Sequence, residues 1–209
     1  MKKKIGITLL IILCSVIAIG CIIMVREMIY QVQYRKGLNA VMEDDLEIEK
    51  KWLIKKELIP YDLSKMERIE IEQTYICFSP EIRVRRINGG SQYTFAVKTN
   101  ITEDGMTRNE LEENITQEEY HNLISKKEGN TIHKTRYQFL EGNQILAIDI
   151  FSGKLEGLAY LEIEFKDQEE AQNYKAPDWV MKDVTSDLSY KNGHLARYGI
   201  PSSFQQYMK

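Results

Sequence analysis

From Glu47 onward, polar and apolar residues repeatedly change places one by one. In Glu47-Ile48-Glu49-Lys50-Lys51 two carboxylates and an ammonium occupy alternate positions. Alternate side chains of a β-strand share a face, so Glu47, Glu49 and Lys51 are expected to project together. Ile48, Trp52 and Ile54 follow the opposite face or its continuation. The same period of two recurs in Ile82-Arg83-Val84-Arg85, in Tyr93–Lys98, in Glu110-Leu111-Glu112 and in Lys134-Thr135-Arg136-Tyr137. It recurs again in Ile145–Ile150, where Asp149 stands in an apolar run, and in Tyr160-Leu161-Glu162-Ile163-Glu164-Phe165. The pattern predicts strands that are charged on one side and apolar on the other.

One such strand is ordinarily half-exposed in an antiparallel sheet. Several of them invite a different arrangement, a closed sheet with its apolar faces outward under helices and its charged faces lining a tunnel. That lining would hold the cations Lys51, Arg83, Arg85, Lys98, Lys134 and Arg136. It would also hold the acids Glu47, Glu49, Glu110, Glu112, Asp149, Glu162 and Glu164. Partly desolvated charges at this density cost several kcal/mol each unless they are paired or ligated. A divalent metal satisfies the carboxylates, and a polyanion satisfies the guanidinium and ammonium groups, which grip phosphate oxygens well.

The chain from about Glu47 to Tyr198 resembles the triphosphate tunnel metalloenzymes, also called the CYTH superfamily. The matching text is Glu47–Lys51, Ile82–Arg85, the Lys98 strand, Arg108–Glu112, His133–Tyr137, Asp149, Gly153–Gly157, Leu161–Phe165, Pro177–Trp179, Asp183–Thr185 and Tyr190–Asn192. It looks most like short bacterial members that hydrolyse inorganic triphosphate. The resemblance implies an α+β fold, an eight-stranded antiparallel barrel with peripheral helices, and Mg²⁺ or Mn²⁺ as cofactor. It implies that Glu47, Glu49, Glu162 and Glu164 hold metal while Lys51, Arg83, Arg85, Lys98, Lys134 and Arg136 bind a triphosphate-containing small molecule. Glu110, Glu112 and Asp149 are then candidates for a second metal or for orienting the attacking water. Leu188 and Ser189 depart from the pattern, lacking cations that the closing helix offers in relatives.

Ahead of these strands, Ile5 to Val25 is a run of 21 residues without a charge, between Lys2-Lys3-Lys4 and Arg26-Glu27. At ~1.5 Å per helical residue it spans a bilayer core of ~30 Å, and it exceeds the ~7–15 apolar residues of a cleavable signal. Residues 1–4 read as a basic flank, 5–25 as a transmembrane anchor, 26–45 as a stalk, 46–198 as the catalytic domain and 199–209 as a tail. Lys2–Lys4 favour a cytoplasmic N-terminus and an extracytoplasmic domain, with Arg26, Arg35 and Lys36 opposing. Within the domain, Tyr61–Ser64 suits a turn. Thr116-Gln-Glu-Glu119 reads as a capping box, Asp167–Glu170 opens a helix stopped before Pro177, and residues 185–198 read as helical in pieces ending at Gly199.

Composition narrows the function. A net charge of −3 over 209 residues provides no field to attract nucleic acid, so any anion site is local. Only Cys77 of the three cysteines lies outside the apolar segment, and no Cys/His spacing suits zinc. His121, His133 and His194 are too scattered for a metal triad, Gly89-Gly90 reads as a hairpin turn, and Trp52 and Trp179 as packing residues. Lys154 reads as a residue of a Gly-bounded turn, with a contact at the tunnel mouth as the alternative. The expected activity is metal-dependent hydrolysis of the terminal phosphoanhydride of inorganic triphosphate or a nucleoside triphosphate. The alternatives are an adenylate-cyclase-like or thiamine-triphosphatase-like activity, or a non-catalytic polyphosphate sensor. Oligomeric state is not legible.

Overall fold

The computed structural model describes residues 46–100, 107–142 and 144–207. The expected basic flank, anchor and stalk lie outside them, and among the described residues no helix is long and apolar enough to cross a membrane. Residues 45–209 group as one compact unit.

The strands are β1 (Leu46–Leu53), β2 (Glu67–Phe78), β3 (Glu81–Ile87), β4 (Gln92–Asn100), β5 (Thr107–Asn114), β6 (Glu128–Glu141), β7 (Gln144–Ser152), β8 (Ala159–Phe165) and the two-residue β9 (Lys182–Asp183). The first eight pair antiparallel in the order β5-β4-β3-β2-β6-β7-β8-β1. β1 then returns to β5 through Leu46↔Asn109, Glu47↔Arg108 and Ile48↔Thr107, closing the barrel. Closure leaves no long free edge. β9 extends the β1 edge beyond β5, opposite Trp52 and Leu53.

Local chemistry explains the connections. Asn88, Gly89 and Gly90 all take positive φ between β3 and β4, the backbone that a tight hairpin requires and glycine adopts without penalty. The capping box is present at α1 (Gln117–Ile124): the Thr116 hydroxyl accepts from the Glu119 N–H, and the Glu119 carboxylate accepts from the Thr116 N–H. Tyr120 buries this helix against β2, β3 and β4. α2 (Gln168–Asn173) is capped by Asp167, and α3 (Asn192–Tyr198) ends at Gly199.

β2 carries an alternation absent from the expected strand series. Its charged residues Arg68, Glu70 and Glu72 alternate with Ile69, Ile71 and Gln73, which stand opposite the lumenal Arg136, Lys134 and Arg85. On this strand Arg68, Glu70 and Glu72 face outward, while Ile69, Ile71 and the buried Gln73 face the lumen.

Two apolar clusters hold the barrel. Outside it, Ile48, Trp52, Leu146, Ile148, Leu161 and Ile163 are covered by Ile59, Tyr61, Leu63, Tyr174, Trp179 and Val180. Much of that cover is irregular chain rather than helix. Inside, the lumenal face turns apolar at one end, where Leu53, Tyr75, Ile132, Phe151 and Tyr160 pack with Val184, Tyr190, Leu195, Ala196 and Phe204. The Tyr160 hydroxyl donates to the Tyr190 carbonyl at 3.0 Å. Phe204 comes from the segment expected to be a tail. At Gly129, with φ +70°, a Cβ would lie 2.8 Å from the Ala196 carbonyl oxygen, so β6 meets α3 at a distance that glycine permits. An apolar plug therefore fills one end of the barrel, and the charged lumen occupies the rest.

Candidate active site in the barrel lumen

The register brings the predicted side chains together. Glu49 stands opposite Glu164 and Lys51 opposite Glu162 across β1 and β8. Arg136 stands opposite Asp149, and Lys98 lies between Glu81 and Glu110. Because each strand contributes alternate residues, thirteen predicted positions converge on one interior without any loop having to be placed.

Most of these charges are already paired. Asp149, fully buried, accepts from Lys134 and takes two hydrogen bonds from Arg136, at 2.7 and 2.8 Å. Arg136 also pairs with Glu162, which lies 2.9 Å from the Lys51 ammonium. On the facing wall Arg83 pairs with Glu110 and Glu81, and Arg85 donates to Glu112 at 2.8 Å and to the Gln73 side-chain oxygen at 3.0 Å. Lys98 bridges Glu47 and Glu110.

The compensation is uneven. Burial would raise the pKa of Glu110, yet Arg83 and Lys98 hold it at about 2. Glu49 and Glu162 stay below the carboxylate range in the same way, against burial, held by Lys51 with Arg108 for Glu49 and with Lys134 and Arg136 for Glu162. Burial lowers Lys134 to about 8 with Arg136 adding to the shift and Asp149 opposing it. Burial followed by repulsion from Arg83 lowers both Arg85 and Lys98. For Arg85, Lys98 and Lys134 the loss of solvation outweighs what their carboxylate partners return, whereas Glu110 holds Arg83 and Asp149 holds Arg136 above the usual range against the same burial. Glu164 shows the opposite imbalance: partial desolvation, then Glu47 and Glu49, raise its pKa, and no hydrogen bond or ion pair holds it among the described residues.

A cavity of ≈460 Å³ opens on Arg136, Glu162 and Glu164 and continues to Gln138, Gln144, Ile145, Ala147, Lys166 and Glu170. Lys154 stays out of the lumen; its ammonium donates to the Asn130 side chain at 2.6 Å on the surface. Trp52 is packed in the outer cluster with Trp179 against it.

Further residues join the lumen. Arg108 is buried between Glu49, at 2.8 Å, and Glu47, at 3.4 Å; its parity with Glu110 and Glu112 already places it on that face. Glu81 shares parity with Arg83. Lys191, 3.4 Å from Glu49, comes from the turn before α3, where no periodicity marks a direction, and it brings to the site a cation from the closing segment.

A model of the CYTH domain matches residues 45–196. An inorganic triphosphatase of Nitrosomonas europaea is 32% identical over 154 residues, spanning 72% of this chain and 96% of the relative. An inorganic triphosphatase of Acetivibrio thermocellus is likewise 32% identical, over 72% of this chain and 93% of that protein. The crystal structure of the inorganic triphosphatase NE1496 superposes with a TM-score of 0.52 at 29% identity, over 72% of this chain and 93% of the other.

Proposed function

Because the chain belongs to the CYTH domain family, we propose that it hydrolyses inorganic triphosphate in the barrel lumen, in a reaction that depends on a divalent cation. The observation that carries this reading is the split imbalance of charge. On β3, β4 and β6 stand Arg85, Lys98 and Lys134, buried cations whose desolvation outweighs their pairing, and across β1 and β8 the exposed Glu164, without an ion pair among the described residues, stands beside Glu47 and Glu49. A polyanion relieves the first imbalance and a cation the second. The two relatives that match over more than nine-tenths of their length are inorganic triphosphatases.

The carboxylates fit a hard divalent cation. Glu47, Glu49 and Glu164 offer oxygen donors only, the set that Mg²⁺ and Mn²⁺ select, and Glu164 is destabilised by its two neighbours. Among the described residues no three acidic, histidine or cysteine side chains are already drawn together at metal-holding distance, because Lys98 and Arg108 hold Glu47 and Glu49. Glu47, Glu49 and Glu164 would hold the cation, which would supply neutralisation of phosphate charge and Lewis-acid polarisation of a phosphoryl oxygen. Glu162 sits one step deeper and positions Lys51 and Arg136.

Arg83, Arg85 and Lys98 exchange their carboxylate partners for phosphate oxygens, while Lys134 and Arg136 keep Asp149 and turn their remaining N–H groups to the phosphate. Asp149 is enclosed by Lys134 and Arg136, so its part is to orient those two groups. Glu110 and Glu112, released by Arg83 and Arg85, face the lumen and can orient water. Water attacks the terminal phosphorus in line, the bridging P–O bond breaks, and pyrophosphate departs from orthophosphate. The purified protein should turn over triphosphate with a higher kcat/KM than pyrophosphate, ATP or thiamine triphosphate in Mg²⁺ or Mn²⁺. Preference for thiamine triphosphate, or conversion of ATP to a cyclic nucleotide, would overturn the assignment.

A further inference from the structure

The barrel is closed along the β1–β5 seam, and at this seam Glu47 pairs directly with Arg108. Arg108 is 6% exposed, donates to Glu49 at 2.8 Å and lies 3.4 Å from Glu47. One guanidinium thus spans two of the three carboxylates assigned to the divalent cation, while the third, Glu164, stands opposite Glu49 without an ion pair. The Arg108 Nε is buried and has no hydrogen-bond partner among the described residues. A guanidinium offers five donors, and a buried unsatisfied donor carries a desolvation cost that another acceptor would remove. The side chain is held by charge more than by a complete set of hydrogen bonds.

We propose that Arg108, beside Lys98 on Glu47 and Lys51 and Lys191 near Glu49, is the resident counter-ion that spans both carboxylates of this pocket. It gives up Glu47 and Glu49 when a divalent cation binds there and turns its guanidinium to phosphate oxygens in the lumen. This rests on the metal-dependent reading above. The two occupants cannot share the pocket: carboxylates that neutralise a divalent cation leave little charge for the guanidinium, and two positive groups a few ångströms apart repel. Arg108 therefore couples the two halves of the site. In the metal-free protein it keeps Glu47 and Glu49 from repelling each other and is itself withheld from phosphate. With the carboxylates otherwise engaged, it adds a donor to the anion site.

The test is Mn²⁺ affinity without substrate, read by titration calorimetry or electron paramagnetic resonance on the full-length protein, with folding checked by circular dichroism. Arg108→Gln should bind Mn²⁺ at least about tenfold more tightly, since a unit charge is removed within a few ångströms of the ion. Arg85→Gln removes the same charge from the same lumen but next to Glu112 and Gln73, and should tighten binding less than about threefold, the smaller effect expected at greater separation. Arg108→Lys, which keeps the charge but reaches one carboxylate at a time, should fall between wild type and Arg108→Gln and carries the test if Arg108→Gln does not fold. Equal affinity in wild type and the Arg108 variants, or equal tightening in Arg85→Gln, overturns the proposal. Weaker binding on loss of Arg108 also overturns it, since that is the sign of a purely structural role. Failure of wild type and variants alike to bind Mn²⁺ removes the metal-dependent reading itself, and this inference with it.

Discussion

Asp149→Asn removes one negative charge from between two buried cations and changes almost nothing else in shape. Asp149 is fully buried, Lys134 is 3% exposed, and three hydrogen bonds join Asp149 to Lys134 and Arg136. Breaking a buried charge pair by removing one partner costs about 3–5 kcal/mol. The amide oxygen still accepts a hydrogen bond and Glu162 still pairs with Arg136, so the low end applies, about 3 kcal/mol. At about 2–4 °C per kcal/mol for a domain of this size, the melting temperature should fall by about 6–12 °C. Asp149 is also the main group opposing the burial that lowers Lys134 to about 8, so in the variant the ammonium sheds its proton at lower pH still. A charged Lys134 is the costly form in that site; the loss of stability should be large at pH 6.5 and shrink by pH 9.5. Triphosphate added in chelator supplies the missing negative charge, and should raise the melting temperature of the variant more than that of the wild type. A variant that melts within about 2 °C of wild type, or one that triphosphate rescues no better than wild type, would refute the charge accounting of this wall.

Arg83→Ala should lower kcat/KM for triphosphate by about 10²–10³, raising KM and lowering kcat together, with an intact barrel by circular dichroism. The kcat/KM of wild type should fall as pH rises through about 8, where free Lys134 loses its proton; Lys134→Arg should remove that limb of the profile. Leu195→Ala, in the plug at 1% exposure, should cost about 2–5 kcal/mol in denaturant unfolding without touching a lumenal charge. Full-length protein should stay with membranes through a carbonate wash, since a span like residues 5–25 is held by apolar surface and not by charge.

The strands that carry chemistry were legible because one charged face is ordinary on a half-exposed strand, but a whole series of them suggests a sheet closed around its charges. Glu47, Glu49 and Lys51 on β1, or Arg83 and Arg85 on β3, could be placed on one face by parity alone. Parity does not say which face is inside. On β2 the charged face of Arg68, Glu70 and Glu72 points to solvent, and nothing in its alternation separates it from the lumenal strands. Nor does parity reveal where a face changes character: Lys51 and Leu53 share one side of β1, yet the first lies among carboxylates and the second in the plug. Arg108 could have been found from its spacing to Glu110. Lys191 gives no such signal by periodicity, because it lies in a turn; only its place in the Tyr190–Asn192 motif marked it. A closed sheet was suggested by the run of charged faces, but the strand number and the β1–β5 seam, which joins residues some sixty positions apart, were not given by periodicity.

The most direct test of the account is a crystal structure with a non-hydrolysable triphosphate analogue and Mn²⁺. The account predicts three phosphoryl groups inside the lumen, with oxygens at hydrogen-bonding distance from Arg83, Arg85, Lys134 and Arg136, and Mn²⁺ on Glu47, Glu49 and Glu164. An analogue bound on the outer surface, with Arg83 and Arg85 still paired to Glu110 and Glu112, would contradict it.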